Sequence, residues 1–190
     1  MNIEFLFPSP LYVFILNFDQ EKVIDKCYKM KNEGQGKFLS NVGGWQSNDF
    51  YFNQIDDFKE LFLEIEKSLH ELGNSVHNDF QVFATNSWIN INGPYDYNRR
   101  HVHPHSTFSA CVYVQVDENN SGPIVFKSPS NRQHYFINPF GNRIFDEEAY
   151  VYPLNKMLLV FPSWVEHEVL PSPNSSTERI SIAFNIQQKI

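Results

Sequence analysis

Histidines in the middle of the chain have the spacing that a metal ion requires. Residues 100–105 read RHVHPH, so His101 and His103 are separated by a single residue. Side chains alternate between the two faces of a β-strand, and on a strand both imidazoles would project from the same face. Two nitrogen ligands on one face suit Fe, Zn, Cu or Ni, provided that a further ligand comes from elsewhere. The pair therefore predicts a metal site.

A third ligand must come from a second element, and His167 is the best candidate. It lies in a predicted strand over residues 165–170, and an early and a late strand of a jelly roll can face each other across the barrel mouth. His105 is an alternative partner for His103, although Pro104 should end the strand between them. The other histidines fall on a predicted helix, just after it and in a predicted loop: His70, His77 and His134.

A second motif follows His167 at a distance of twelve residues. Arg179 and Ser181 alternate within the last predicted strand, so their side chains point to the same side. A guanidinium beside a hydroxyl can bind a carboxylate through charge-assisted hydrogen bonds. The motif is weak by itself, but a candidate metal ligand just upstream makes it more specific, and it then predicts a binding site for a carboxylate.

Two helices and one strand are predicted in the first part of the chain. Residues 11–16 form an apolar run typical of a strand. Asn17 or Asp19 can cap a helix that continues to about Lys31. Apolar residues with a helical repeat predict a second helix over residues 55–72, with Gly73 and Asn74 as its stop. The glycine-rich segment between the two helices is predicted to be a loop.

After Phe80 the pattern changes to short β-branched and aromatic runs, separated by Gly, Pro, Asn and Ser. We expect strands over residues 80–84, 87–92, 108–116, 123–127, 149–153, 157–161, 165–170 and 179–187. No helical pattern separates them, so a βαβ fold is disfavoured. The predicted fold class is mainly β with N-terminal helices, a jelly roll with a supporting helical layer. We expect one domain over residues 1–190, with helical support and a strand in 1–75 and the β core in 80–190.

Composition excludes several classes of protein. With 42% hydrophobic and 19% charged residues, the 190-residue chain is globular rather than disordered. A net charge of −7 argues against a nucleic-acid-binding surface. Two cysteines are too few for a disulfide framework or a cysteine zinc site. Without a signal peptide or an apolar run of about 18 residues, we expect a soluble, cytoplasmic protein.

Several stretches, taken in order along the chain, resemble one enzyme family. A His-x-(Asp or His) pair, a distal His and an Arg-x-Ser about a dozen residues later are typical of the Fe(II)- and 2-oxoglutarate-dependent oxygenases. More narrowly, the chain resembles a group of such oxygenases, akin to prolyl hydroxylases, found in marine bacteria and phages. The matching stretches are LFPSP (6–10), NVGGWQS (41–47), SWININ (87–92), HVHP (101–104), SACVYV (109–114), FPSWVEH (161–167) and RISIAFN (179–185).

The resemblance implies a double-stranded β-helix, a cupin-like jelly roll, with iron bound at its mouth. His101 and His167 match the two histidines of the family's iron site. His103 falls where most of the superfamily has Asp. Three neutral histidines leave the metal with its full charge, whereas the usual carboxylate removes one unit.

The resemblance also implies positions for the cosubstrate. Arg179 and Ser181 match the residues that bind the distal carboxylate of 2-oxoglutarate. Tyr113 matches a strand tyrosine that some prolyl hydroxylases direct at the same carboxylate. Asn90 and Asn92 lie on the preceding strand, where the superfamily often has a polar contact to the cosubstrate.

The implied function is an Fe(II)- and 2-oxoglutarate-dependent dioxygenase. We expect it to use O2 to hydroxylate a C–H bond of a peptide, an amino acid or another small substrate, with release of succinate and CO2. One alternative is a three-His cupin dioxygenase without 2-oxoglutarate, which Arg179 and Ser181 disfavour. The other is a non-enzymatic jelly-roll binding or virion protein, which the histidine set disfavours.

Overall fold

Two antiparallel sheets carry the polar residues singled out above, and two helices cover one of these sheets. The structure, a computed structural model, describes residues 9–129 and 147–189, so the prediction for His134 lies outside the described residues. The helices are α1 (Gln20–Glu33) and α2 (Lys59–Val76). The strands are β1 (Tyr12–Ile15), β2 (Asn41–Val42), β3 (Trp45–Gln46), β4 (Val82–Asn92), β5 (Tyr97–His101), β6 (Phe108–Gln115), β7 (Ile124–Lys127), β8 (Glu148–Val151), β9 (Met157–Pro162), β10 (His167–Val169) and β11 (Arg179–Gln188).

The first helix begins where its capping residue predicts. The Asp19 carboxylate accepts a hydrogen bond from the Lys22 backbone N–H at 3.2 Å, which satisfies one of the unpaired donors of the first turn. The second helix is shorter at its start than predicted. Ile55 has an extended backbone, and the residues on either side of it form two 3₁₀ turns, so the α-helix begins only at Lys59.

Gly73 lies within α2 instead of ending it. A Cβ at this position would come within 2.3 Å of the Phe80 carbonyl oxygen, so a glycine allows the chain after the helix to cross closely over it. The helix continues to Val76, and the His77 N–H donates to the Gly73 carbonyl.

The major sheet has six strands in the order β1-β9-β6-β11-β4-β3, and the minor sheet has five in the order β2-β5-β10-β7-β8. All pairings are antiparallel. This arrangement confirms the predicted mainly β fold with a helical layer. The strand predicted to break between residues 84 and 87 is continuous as β4. A bulge there places two β4 residues, Thr85 and Asn86, opposite the single β11 residue Asn185, and pairing continues on both sides.

Alternation gives the major sheet two unlike faces. The helix face packs against α1 and α2 and includes Ile180, Ile182 and Phe184 of β11, all fully buried. The cavity face points toward the minor sheet and includes Arg179 and Ser181 of the same strand. Alternate residues of β11 therefore lie in the apolar core under the helices and in the cavity between the two sheets.

Two short strands lie in the segment predicted to be a loop. Gly43 and Gly44 have φ values of 67° and 59°, a conformation that favours glycine, and they form the turn between β2 and β3. Strand β2 joins the minor sheet and β3 joins the major sheet. The turn thereby connects the two sheets beside the histidines.

Within residues 9–129 and 147–189, neither helix combines the length and the apolar character needed to cross a membrane.

Candidate functional site

Two of the three predicted metal ligands sit opposite each other on paired strands. His101 is the last residue of β5, His167 is the first residue of β10, and their Cα atoms are register partners. The prediction that these strands face each other across the barrel mouth is wrong. They are hydrogen-bonded neighbours in the minor sheet, and this places the two rings 4.3 Å apart, between centroids.

The third histidine of the cluster lies beyond the strand. His103 follows the end of β5 by two residues, so strand alternation does not explain its orientation. Its backbone N–H donates to the Ser163 carbonyl at 3.0 Å, which fixes the segment. Its ring packs beside the Trp88 indole on the cavity face, with a centroid distance of 5.5 Å.

The three imidazoles are oriented as ligands for one ion. One nitrogen from each of His101, His103 and His167 lies within 4.8 Å of the others, and the Nε2 atoms of His103 and His167 are 3.3 Å apart. His101 Nδ1 donates to the Arg99 carbonyl at 2.6 Å, and His167 Nδ1 donates to the Val165 carbonyl at 3.0 Å. Because Nδ1 carries the proton in both rings, Nε2 has a free lone pair for a metal. The residues fit an iron site.

Burial keeps these histidines in the form that binds a metal. Desolvation lowers the pKa of His103 to about 4 and that of His167 to about 3, and it also lowers the pKa of His101. Neighbouring histidines lower the values for His103 and His167 further, because a positive charge on one ring disfavours a charge on the next. All three are neutral at pH 7.

The other histidines in the described residues do not join this cluster. His105 is exposed and has a φ of 68°, and Pro104 and the turn around it separate its side chain from the other rings. His70 and His77 lie at the far end of α2, where both are exposed.

An inner cavity extends from the histidines between the two sheets. Its polar lining includes Arg179, Ser181, Tyr113 and Asn90, in addition to the three imidazoles. Strand register explains this grouping, because Ser181 of β11 pairs with Tyr113 of β6 on one side and with Asn90 of β4 on the other. The structure thus brings most of the residues predicted from the sequence to one space.

Arg179 is only 3% exposed, and backbone carbonyls hold it in place. Its Nη1 donates to the Gly122 carbonyl at 2.9 Å and to the Leu170 carbonyl at 3.3 Å, and Nη2 also donates to Leu170. Two of its five N–H donors remain for a ligand. No carboxylate forms an ion pair with it within the described residues, although the charge of Asp96 acts on it at longer range. A buried cation therefore faces the cavity without a directly paired anion.

Cys111 is a residue of this cavity that the sequence analysis did not select. Its thiol lies near the Ser181 and Tyr113 hydroxyls, and burial raises its pKa to about 11, so it is protonated at pH 7. The pKa of the Tyr113 hydroxyl is also raised by burial. The spacing Cys111-x-Tyr113 on one strand was the available signal, since both residues share a face.

The two asparagines of β4 have different surroundings. Asn90 lines the inner cavity, whereas Asn92 lies farther along the strand and donates from Nδ2 to Asn98 Oδ1 at 3.1 Å. The Oδ1 atoms of both are buried, and no hydrogen-bond partner for them is present among the described residues. Buried acceptors of this kind are uncommon outside functional sites.

An outer cavity of about 330 Å³ adjoins the histidines on the solvent side. It is lined by the rings of His101, His103 and Trp88 and by a polar wall that the sequence analysis did not select. The polar wall consists of Ser40, Gln46, Asp49, Asn86 and Asn185. These residues come from four separate segments, so no local motif marks them.

Comparison with known families now identifies the chain. Residues 86–185 match the family described as "Putative 2OG-Fe(II) oxygenase", which is more than half of the 190 residues. The chain belongs to this family. It is therefore an enzyme that uses Fe(II) and 2-oxoglutarate, and the family, the enzyme class and the cofactors predicted from the sequence are confirmed. A search of curated proteins finds no match to the sequence.

Solved structures share the fold at low sequence identity. A prolyl-4-hydroxylase from Pseudomonas putida superimposes with a TM-score of 0.67 at 15% identity, covering 96% of this chain and 94% of that one. A Trichoplax adhaerens prolyl hydroxylase, solved with a peptide fragment of hypoxia inducible factor, gives 0.66 at 12% identity over 93% and 83%. The collagen prolyl hydroxylase of Paramecium Bursaria Chlorella virus-1, in a 2-oxoglutarate complex, gives 0.59 at 12% over 95% and 96%.

Proposed function

We propose that His101, His103 and His167 hold the iron of this oxygenase, and that Arg179 and Ser181 bind the distal carboxylate of 2-oxoglutarate. The enzyme then hydroxylates a C–H bond of a substrate, a peptide, an amino acid or another small molecule, and releases succinate and CO2. The observation that carries the proposal is the inner cavity itself. It has three neutral imidazoles at one end and an unpaired, buried guanidinium at the other.

The charges of the site favour a dianion. Three neutral imidazoles leave a divalent metal with its full charge, and Arg179 adds another positive charge inside a chain with a net charge of −7. A carboxylate at each end of the cosubstrate would balance these charges, in a space with weak dielectric screening. When bound, the metal supplies the redox chemistry that couples O2 to the oxidation of the cosubstrate and the substrate.

The protein residues orient the cosubstrate and keep water away from it. Three hydrogen bonds to Gly122 and Leu170 fix the Arg179 guanidinium before a ligand arrives, so little side-chain entropy is lost on binding. The hydroxyls of Ser181 and Tyr113 and the Asn90 amide provide further polar contacts in the same cavity. Phe161, edge-on to the His167 ring at 4.8 Å, contributes to the apolar wall beside the metal ligands.

Titration of metal and cosubstrate tests these assignments. His101→Ala and His167→Ala should each abolish stoichiometric binding of Fe(II) or Mn(II), because each removes one of three ligands. In Mn(II)-loaded protein, Arg179→Ala should weaken 2-oxoglutarate binding at least about tenfold by calorimetry, since a charge-assisted pair contributes roughly 1.5–3 kcal/mol. Arg179→Lys should recover only part of the affinity, because an ammonium lacks the planar fork.

Matched controls separate site effects from general damage. His77→Ala removes a histidine and Lys22→Ala removes a cation, each from an exposed position outside the site. Both variants should leave both titrations unchanged. His103→Asp restores the carboxylate usual in the family and should retain metal, as should His105→Asp. Full metal binding by His167→Ala, or undiminished 2-oxoglutarate binding by Arg179→Ala, would contradict the proposal.

A further inference from the structure

We propose that the outer cavity selects an uncharged substrate that presents an amide group, and that Gln46 is its main specificity residue. This inference rests on the proposed function, because it concerns the substrate of the same site. The shared chemistry is an N–H donor beside a C=O acceptor, and either a peptide main chain or a small carboxamide can supply it.

The first reason for proposing an amide substrate is the side-chain amide of Gln46. It lines the outer cavity and is only 3% exposed, yet no hydrogen bond of its side chain is present among the described residues. Neither polar atom of its side chain is among the fully buried atoms without a partner in the described residues, so the amide is open to the cavity. The backbone fixes its position, because Gln46 pairs with Asn90 in β4 and its carbonyl accepts from the Lys37 N–H at 2.7 Å. A ligand amide in the cavity would satisfy both its donor and its acceptor.

A chain of hydrogen-bonded amides in the same polar wall is the second reason. Asn185 Nδ2 donates to Asn86 Oδ1 at 3.0 Å, and Asn86 Nδ2 donates to Asp49 Oδ2 at 3.0 Å. These bonds fix the direction in which each amide points. The Asn185 Oδ1 atom is left buried, with no partner in the described part of the chain. Asn86 and Asn185 therefore line the cavity with amides in fixed positions, which suits a ligand that both donates and accepts.

The charges of the cavity disfavour an anionic substrate. Among the described residues that line it, Asp49 is the only one with a carboxylate, and Lys37, whose Nζ lies 3.1 Å from Asp49 Oδ1, is already paired with it. No arginine or lysine appears among the lining residues within the described ranges. A substrate carboxylate would thus meet a negative charge without an available cation, in contrast to the inner cavity with Arg179.

Apolar groups border the amides and indicate a substrate of mixed character. Leu39 and Val102 line the cavity although they are 69% and 41% exposed, and the Trp88 ring covers the wall next to His103. A ligand with apolar groups on either side of an amide would cover these surfaces while its polar atoms reach Gln46 and Asn86. The apolar residues and the amides of the outer cavity therefore both suit an uncharged ligand that has an amide between apolar groups.

The test is ligand-observed NMR titration of protein loaded with Zn(II) and 2-oxoglutarate. The probes are 4-methylpentanamide and 4-methylpentanoate, which differ only in having an amide or a carboxylate. Wild-type protein should bind the amide about tenfold more tightly than the acid. Gln46→Met, which keeps the shape and removes the hydrogen bonds, should weaken amide binding about five- to tenfold, since one to two hydrogen bonds are lost. Asn185→Ala is a second variant with an expected loss in the same direction. Gln54→Met, at an exposed position outside the cavity, is the matched control and should bind as wild type does.

A capped pentapeptide in the same titration distinguishes the two sources of the amide. Tighter binding of the peptide than of the single amide indicates a peptide substrate, and equal binding indicates a small carboxamide. Equal affinity for amide and acid, or wild-type affinity in Gln46→Met, would overturn the inference. Metal and 2-oxoglutarate titrations on the same samples keep the two proposals separate. Their failure in the wild type contradicts the proposed function, whereas their success without an amide preference contradicts only the inference.

Discussion

The helix face and the cavity face of the major sheet are built from alternate residues of the same strands, yet their buried side chains differ in polarity. On the helix face, Ile180, Ile182 and Phe184 are fully buried among other apolar side chains. On the cavity face, Arg179 and Ser181 are almost as deeply buried but are polar. The unpaired acceptors of Asn90, Asn92 and Asn185 come from the strands of this same sheet.

Along β11, the residues on the helix face therefore contribute to stability, and those on the cavity face contribute to ligand binding. Apolar burial on the helix face lowers the free energy of the folded state, whereas buried polar atoms without partners on the cavity face raise it. A fold accepts such a cost where a ligand later satisfies the atoms. The comparison therefore predicts that substitutions on the two faces of β11 affect different measurements.

The largest effect is expected on the helix face. Phe184→Ala should lower the free energy of unfolding by about 3–5 kcal/mol, because it removes a fully buried ring that packs edge-on against Phe52 at 5.5 Å. Urea denaturation of the metal-free protein measures this loss. Ser181→Ala, on the other face of the same strand, should change the unfolding free energy by less than about 1 kcal/mol and weaken 2-oxoglutarate binding instead. Similar destabilisation by both changes would remove the distinction between the faces.

The second largest effect is expected in how the free energy of unfolding depends on pH, because buried histidines lie in the polar interior. The pKa of His103 is about 4 in the folded protein and about 6.5 when exposed, so below pH 6.5 the unfolded chain binds a proton that the folded one does not. Stability of the metal-free protein should be fully present above pH 6.5 and should fall as the pH drops toward 4. The contribution of His103 is on the order of 3 kcal/mol, from the 1.36 kcal/mol per unit of pKa.

Urea denaturation between pH 7 and pH 4.5 checks this expectation. His103→Gln should flatten the dependence of the unfolding free energy on pH, because glutamine does not titrate. His77→Gln, at an exposed position, should leave the slope as in the wild type. An unchanged slope in His103→Gln would show that burial of this ring does not govern the acid sensitivity.

The smallest expected effect is a difference in stability between serine variants of the two cysteines. Cys27 is a residue of α1 that is buried in the apolar core, and Cys111 lies on the cavity face beside Ser181 and Tyr113. Cys27→Ser should cost about 1–2 kcal/mol because it buries a hydroxyl among apolar groups. Cys111→Ser should change stability by less than about 0.5 kcal/mol, since the new hydroxyl finds hydrogen-bond partners. Thermal unfolding of the two variants in parallel measures both losses of stability. A larger loss in Cys111→Ser than in Cys27→Ser would contradict the assignment of the faces.

Much of the site was predictable because its residues come in local patterns. Arg179 and Ser181 lie within β11, and strand alternation alone predicts their shared face. The same argument predicted the pairing of His101 with His103, but His103 lies beyond the end of β5 and reaches His101 for another reason. The capping aspartate of α1 and the apolar repeat of α2 are likewise local signals, and both helices are present. The start of α2 was wrong, because the extended backbone of Ile55 is set by its surroundings and not by helix propensity.

The sequence by itself determined the mainly β fold, the family and the residue types able to bind iron and a carboxylate, since each depends on residue types and on short motifs in a fixed order along the chain. Only the tertiary structure decided how separate segments meet. It put His101 and His167 in register on neighbouring strands and turned His103 toward them from beyond the strand end. It also assembled the outer wall of Gln46, Asp49, Asn86 and Asn185 from distant segments. Long-range strand pairing fixes such contacts, and short-range patterns in the chain do not record it.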